Sequence, residues 1–168
     1  MSNLASACNP PFGRLARSGS CALSFASRGI ALIERWLTPA FDLAIRLYVA
    51  SVFFKSGLTK IQDWGSTVAL FQYEYHVPVL PPELAAFMGA AGELGLPVLL
   101  AFGLAGRFGA AGLSVMNVVA VISYADISDL GRQDHVLWGA LLLVTLLHGP
   151  GRWSLDHWFR ARWASIGG

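Results

Sequence analysis

Two charged residues lie inside stretches of sequence that are otherwise apolar enough to cross a membrane. Arg46 falls within residues 42–60, and Glu93 falls within residues 82–104. A charge at the centre of a spanning helix costs about 2.5–3.5 kcal/mol on translocon scales, so it must face a partner or a wet cavity. Two such charges of opposite sign predict a buried ion pair, which could bind a polar substrate, carry a proton or hold two helices in register.

Other polar residues are predicted to lie near this pair. Counting about 1.5 Å per helical residue places Arg46 and Glu93 within a few Å of the same depth in a core of about 30 Å. Asn117 falls at mid-depth, and Tyr124 lies seven residues further on and shares its helix face. The predicted polar site comprises Arg46, Glu93, Asn117, Tyr124, Thr145 and His148.

The same residues have simpler interpretations. Asp42 lies four residues before Arg46 on the same helix and is an equally good partner for it. A pair with Glu93 could serve helix register alone, and Lys60 could do no more than mark the membrane boundary. The remaining histidines are too scattered to predict a metal site. No catalytic residue can be assigned from these patterns.

The apolar stretches predict the elements that hold these residues. Charged residues make up 13% of the chain, hydrophobic residues 55%, and the mean hydropathy is +0.54. Because the long segments are apolar all round, the sequence predicts an all-α membrane protein rather than a soluble bundle. The predicted fold is a bundle of four transmembrane helices with an interfacial amphipathic helix between helices 1 and 2. The spans are predicted at 39–60, 83–104, 108–128 and 132–149, the interfacial helix at 62–76, an amphipathic tail at 154–168 and a disordered cytoplasmic tail at 1–35.

Charge bias predicts how these helices cross the membrane. The Arg-rich leader, Arg107 and the basic C-terminal tail would share one side, while the acidic connections 60–83 and 126–134 would share the other. Four spans with both termini in the cytoplasm satisfy the positive-inside rule. We therefore expect a multi-pass membrane protein, with the lipid bilayer as its environment and no nucleic-acid partner.

Several motifs, taken in order along the chain, resemble the DoxX family of bacterial four-helix membrane proteins. The resemblance covers about residues 39–158 and implies a location in the bacterial inner (plasma) membrane. It includes a Phe-Phe-x-Ser-Gly-x-x-Lys stretch in helix 1, the Glu and Pro of helix 2, and a Gly-Pro-Gly-Arg-Trp-Ser-Leu-Asp stretch near the C-terminus. The motif positions in this chain are Arg46, Gly57, Lys60, Glu93, Pro97, Arg107, Gly149, Pro150, Gly151 and Asp156.

The resemblance implies a redox-associated membrane component, since relatives are described as subunits of quinone-linked oxidoreductases or anchors in thiol-stress complexes. A quinone is the cofactor this implies, together with a protein partner, and any enzymatic activity would be that of a partner-dependent oxidoreductase subunit. Both cysteines, Cys8 and Cys21, precede the apolar segments, which disfavours dithiol chemistry within the membrane. Two further functions remain open: a small-molecule or proton-coupled transporter, and an anchor or assembly factor without chemistry of its own.

Overall fold

The computed structural model describes residues 13–165, with side chains described from Ile30 onward except Ala31. Within this range the chain is helical, and its extended pairing is an isolated antiparallel bridge between Tyr75 and Tyr124. The six helices are α1 (Gly13–Gln62), α2 (Trp64–Tyr73), α3 (Pro82–Phe102), α4 (Gly106–Ser123), α5 (Asp129–His148) and α6 (Leu155–Ala164). The all-α prediction is confirmed at this level.

The first helix starts earlier than the sequence predicts. The chain divides into two units, Met1–Thr38 and Pro39–Gly168. In the first unit the helix begins at Gly13, where a disordered tail was expected, and Pro39 lies inside α1 rather than at its start. The predicted span begins at residue 39 because a proline is favoured in the first turn of a helix, but a proline removes only one backbone donor, and a helix can continue through it. The N-terminal part of the predicted tail, residues 1–12, lies outside the described residues.

The second unit has one main hydrophobic core, to which four helices contribute. The buried members are Val49, Ala50, Phe53, Leu100, Ala110, Leu113 and Leu142. The first three lie on α1, and the others lie on α3, α4 and α5. Because each helix also exposes large apolar side chains on its opposite face, the helices fit an apolar solvent better than water.

Three helical segments are long and apolar enough to cross a membrane: Leu32–Gln62, Pro82–Phe102 and Gly106–Ser123. The protein is therefore a helical, multi-pass membrane protein by length and composition. The fourth predicted span, now α5, is not among the three, because its first turns carry Asp129, Arg132 and Asp134.

The short helix α2 packs onto the start of α3. Asp63 caps α2 by accepting a hydrogen bond from the backbone N–H of Ser66, and the bonds from Ser66 lower the pKa of Asp63. Phe71 forms a small buried cluster with Ala85 and Ala86 of α3. This packing places the end of α2, and the connection that follows it, over one end of the space between the helices.

Candidate functional site

A cavity of about 680 Å³ lies between the helices of the second unit. Its walls come from α1, α2, the 75–80 connection, α3, α4 and α5. The lining residues are Val52, Phe53, Ser56, Lys60, Phe71, Tyr75, Val77, Pro78, Leu80, Ala85, Met88, Gly89, Glu93, Val115, Met116, Val119, Ala120, Ile122, Ser123, His135 and Trp138. The volume lies within the range typical of sites for small molecules and cofactors.

An ion pair between Lys60 and Glu93 lies in the wall of this cavity. The Nζ of Lys60 lies 2.7 Å from Oε2 of Glu93 and 3.0 Å from Oγ of Ser56. The two charged side chains are only 15% and 14% exposed. Gly57 makes the approach possible, since a Cβ at that position would lie 3.0 Å from Cβ of Glu93. The Lys60 side chain thus extends into the space between the helices instead of toward the membrane surface.

Among the described side chains, Arg46 forms an ion pair with neither of the two partners considered for it, Glu93 and Asp42. It is 1% exposed, and its guanidinium donates to the backbone carbonyls of Leu100, Ala101 and Trp153, the bond to Ala101 measuring 3.1 Å. The estimate that Arg46 and Glu93 lie at the same membrane depth does not bring them together. Arg46 lies beside the last turn of α3, where the carbonyls of the helix end attract a cation.

Most of the other motif positions lie near Arg46 and form a second polar cluster with it. Gly103 ends α3 with a φ of 63°, and a Cβ there would collide with Arg46. Asp156 accepts hydrogen bonds of 2.9 Å from the backbone N–H groups of Ala105 and Gly106, at the start of α4. The cluster therefore joins the α3–α4 turn to the segment that leads into α6.

The Gly-Pro-Gly stretch is part of the same arrangement. Gly149 ends α5, and the guanidinium of Arg107 donates to the carbonyl of Leu147 at 3.2 Å. Pro150 packs against Gly106, while Asp42 lies against Gly151. These contacts hold the Gly-Pro-Gly stretch against Gly106, Arg107 and Asp42.

Asn117 is 6% exposed and holds His135 at the opposite end of the helices from Arg46. Its Nδ2 donates to the backbone carbonyl of His135 at 2.9 Å, and its Oδ1 lies 2.8 Å from Nδ1 of the same residue. The imidazole also meets the ring of Trp138 edge-on at 4.9 Å. Asn117 was predicted to belong to the site, and the structure connects it to the cavity through His135.

Tyr124 contacts the cavity wall through a second tyrosine. The Tyr75 and Tyr124 backbones form the isolated bridge, and their rings lie 5.1 Å apart. Tyr75 also stacks on Phe71 at 5.1 Å, which completes an aromatic wall at this end of the cavity. Burial raises the pKa of Tyr75, with smaller contributions from Tyr124, Glu93 and Glu74, so its phenol stays protonated at neutral pH.

The last two predicted residues lie apart from the cavity. Thr145 is buried, and its hydroxyl bonds weakly to the carbonyl of Leu141 at 3.4 Å. His148 is exposed at the end of α5, where Nδ1 contacts the carbonyl of Val144. Of the six predicted residues, only Glu93 lines the cavity, while Asn117 and Tyr124 hold residues that do.

Sequence reasoning missed most of the polar lining. Lys60, Ser123, Tyr75, His135 and Trp138 were not included in the predicted polar site. One available signal was the one-turn spacing from Gly57 to Lys60, since a small residue beside a cation permits close approach of an acidic helix. The others come from connections and helix ends, whose arrangement in space the helical pattern does not give.

The cavity is open on the outer surface of α3 and α4. Three of its lining residues, Met88, Val115 and Ile122, are 52%, 64% and 62% exposed. They lie on two helices that are apolar enough to span a membrane. In a bilayer this opening would face acyl chains, so a molecule dissolved in the membrane could reach the ion pair and the aromatic rings.

The polar groups of the cavity can bind both kinds of hydrogen-bonding group. Lys60 supplies donors and Glu93 supplies acceptors, while each ring nitrogen of His135 donates or accepts according to its tautomer. Oγ of Ser123 and Nε1 of Trp138 are buried without a partner among the described residues. Within the same part of the chain, no cluster of three or more His, Cys, Asp or Glu residues is placed to hold a metal ion.

Comparison with known proteins identifies the family. The family model described as DoxX matches residues 41–126, which contain α2, α3, α4 and most of the membrane part of α1. An uncharacterized protein of Haemophilus influenzae is 31% identical over 121 residues, covering 68% of this chain and 80% of that protein. No solved structure matches the chain significantly. The chain belongs to the DoxX family, and it is a membrane protein of that family.

Proposed function

We propose that this protein is the membrane subunit of a redox complex and that its cavity binds a quinone-class molecule from the bilayer. The observation that carries the proposal is the cavity itself, which combines aromatic walls, a buried ion pair and an opening on the outer surface of the helices. In this role the chain would bind and orient the molecule, and a partner protein would exchange electrons with it.

The shape of the cavity supports a ligand with a flat head and an apolar tail. Phe53 and Trp138 meet edge to face at 6.0 Å, and Phe71 and Tyr75 form a second aromatic surface. Aromatic rings pack favourably in these offset and edge-on arrangements, so a planar ring can be accommodated between them. A tail could leave past Met88 into the acyl chains, since that side of the cavity is exposed.

The polar groups support a head that carries oxygen atoms. Lys60 keeps donor capacity beyond its bonds to Glu93 and Ser56, and an ammonium stabilises a carbonyl or developing phenolate oxygen. In an apolar cavity such contacts are stronger than in water. When bound, the quinone would supply the two-electron chemistry, and the residues named here would hold its oxygen atoms.

Two neighbouring valines of α4 allow a matched test. Val119 lines the cavity, whereas Val118 is not among the lining residues and is 58% exposed. Phenylalanine at position 119 should fill the cavity, while phenylalanine at position 118 should only change the lipid-facing surface. Binding of a short-chain quinone to protein in nanodiscs, followed by quenching of tryptophan fluorescence, should be lost in Val119→Phe and kept in Val118→Phe. Equal binding by both variants, or binding by neither the variants nor the native protein, would contradict the proposal.

We also propose that α5 is a fourth span and that both termini lie in the cytoplasm. Leu142 of α5 belongs to the core shared with α1, α3 and α4, and Trp138, Leu141 and Leu146 pack against it. A helix that packs along spanning helices must itself lie at membrane depth. Reporter fusions after Gly168 and within residues 124–129 should report opposite sides; the same side for both would remove α5 as a span.

A transporter is the second candidate, favoured by the ion pair itself. Charged residues that face a cavity inside the membrane often belong to a substrate or proton path. Uptake of a small molecule, or release of protons, by the reconstituted protein would support this function if the Glu93→Gln variant loses it. An anchor without chemistry would show neither quinone binding nor transport.

A further inference from the structure

We propose that the cavity selects the reduced, hydroxyl-bearing form of its ligand, because His135 is held in a tautomer that offers a hydrogen-bond acceptor. The inference rests on the proposed function, since it names which redox form of a quinone-class ligand is bound more tightly. It concerns binding alone and involves no electron transfer.

The first step is the orientation of the Asn117 amide. Its Nδ2 donates to the backbone carbonyl of His135, so its Oδ1 must be the atom that faces Nδ1 of the imidazole. Turning the amide over would set its oxygen against that carbonyl and lose this bond. The two contacts together therefore fix which end of Asn117 meets the ring.

The second step is the position of the proton on the ring. An amide oxygen only accepts, so Nδ1 of His135 must donate. In the neutral imidazole the other nitrogen, Nε2, is then unprotonated and can only accept. Nε2 has no hydrogen-bond partner among the described residues, and His135 lines the cavity.

The surroundings of Asn117 show that this arrangement is closely packed. Asn117 is 6% exposed, and Gly139 lies against it, where an added Cβ would come within 3.2 Å of its Nδ2. The Trp138 ring system also packs against the imidazole in an edge-to-face arrangement, with 4.9 Å between the ring centroids. Rotation of either side chain would break two hydrogen bonds in a buried place, so the tautomer is held by its neighbours.

A quinone and the corresponding quinol share the same ring but carry different hydrogen-bonding groups. A quinone carries only acceptors, so it can pair with Lys60 but leaves Nε2 of His135 without a donor. A quinol carries hydroxyls that both donate and accept, so it can pair with His135 at one oxygen and with Lys60 at the other. Leaving a desolvated acceptor unpaired is unfavourable, and one such hydrogen bond corresponds to about tenfold in affinity.

The experiment compares a short-chain quinol with its quinone on the full-length protein in nanodiscs under anaerobic conditions. We expect the quinol to bind about tenfold more tightly or better. His135→Phe should remove most of this difference, so that the affinities of the variant for quinol and quinone become similar. A native protein that binds both forms equally, or prefers the quinone, would overturn the inference and leave the proposed function standing. If neither form binds, the proposed function itself fails.

A second measurement is independent of any ligand. The ¹⁵N chemical shifts of histidine distinguish a protonated from an unprotonated ring nitrogen, and His135→Phe assigns the resonance. The inference predicts protonated Nδ1 and unprotonated Nε2 for His135 in the native protein. The opposite tautomer, or a mixture of the two, would overturn it even if the quinol bound more tightly.

Discussion

The ion pair between Lys60 and Glu93 predicts a strong thermodynamic coupling between two helices. The residues lie 33 positions apart, on α1 and α3, with 2.7 Å between Nζ and Oε2. We expect Lys60→Met or Glu93→Gln alone to destabilise the protein, because each leaves the other group without its partner. The double substitution should recover most of the loss, since no unpaired charge then remains.

The magnitude follows from the burial of the pair. Breaking a fully buried ion pair costs about 3–5 kcal/mol. Because the side chains keep 15% and 14% exposure, we expect the lower end of that range, about 3 kcal/mol for each single variant. In a domain of this size that corresponds to a decrease of roughly 6–12 °C in the unfolding temperature.

The assay is thermal unfolding of purified protein in one detergent, arranged as a double-mutant cycle. Lys55→Met is the control, since Lys55 lies on the same helix but is exposed and has no ion-pair partner among the described side chains. It should change the unfolding temperature little. If the single losses add to within about 0.5 kcal/mol, the residues are not coupled and the pairing is refuted.

Three further substitutions test other parts of the structure by thermal unfolding. Arg46→Met should cost about 1–3 kcal/mol because it leaves the carbonyls of Ala101 and Trp153 without this donor, and it should speed hydrogen exchange in α6; Arg132→Met, at an exposed site, should do neither. Gly57→Ala should cost about 1–3 kcal/mol by separating α1 from α3, whereas Gly95→Ala, with open space around it, should be neutral or stabilise by about 0.5–1 kcal/mol. Asp156→Ala should cost about 1 kcal/mol because it removes both acceptors at the start of α4; an unchanged unfolding temperature would show that this cap is not needed.

Helical content and membrane character could be predicted because both depend on patterns within single segments. The apolar stretches that contain Arg46, Glu93 and Asn117 do form long helices, and a turn at residues 103–105 separates two of them. These features follow from residue hydrophobicity and from local signals at helix ends. The start of α1 was misplaced because Pro39 fits the inside of this helix as well as a first turn.

The pairing of charges could not be predicted because it depends on how far each helix extends along its neighbours. A shift of two helical turns between α1 and α3 moves a residue by about 11 Å, which is more than the reach of an arginine side chain. Arg46 consequently contacts the end of α3 instead of Glu93, and Lys60 forms the ion pair with Glu93. The place of His135 in the cavity could not be predicted for a related reason, because its ring is held by Asn117, which lies on another helix.

The proposed function requires that the cavity bind a ligand from the membrane, and the molecules retained by the purified protein test this directly. Mass spectrometry of protein extracted with its surrounding lipid should find a lipid-soluble compound with an aromatic, oxygen-bearing head, at close to one molecule per chain. Val118→Phe should retain the compound, and Val119→Phe should lose it. Finding only bulk phospholipid in the native protein, or the same compound in equal amounts in both variants, would contradict a ligand-binding role for the cavity.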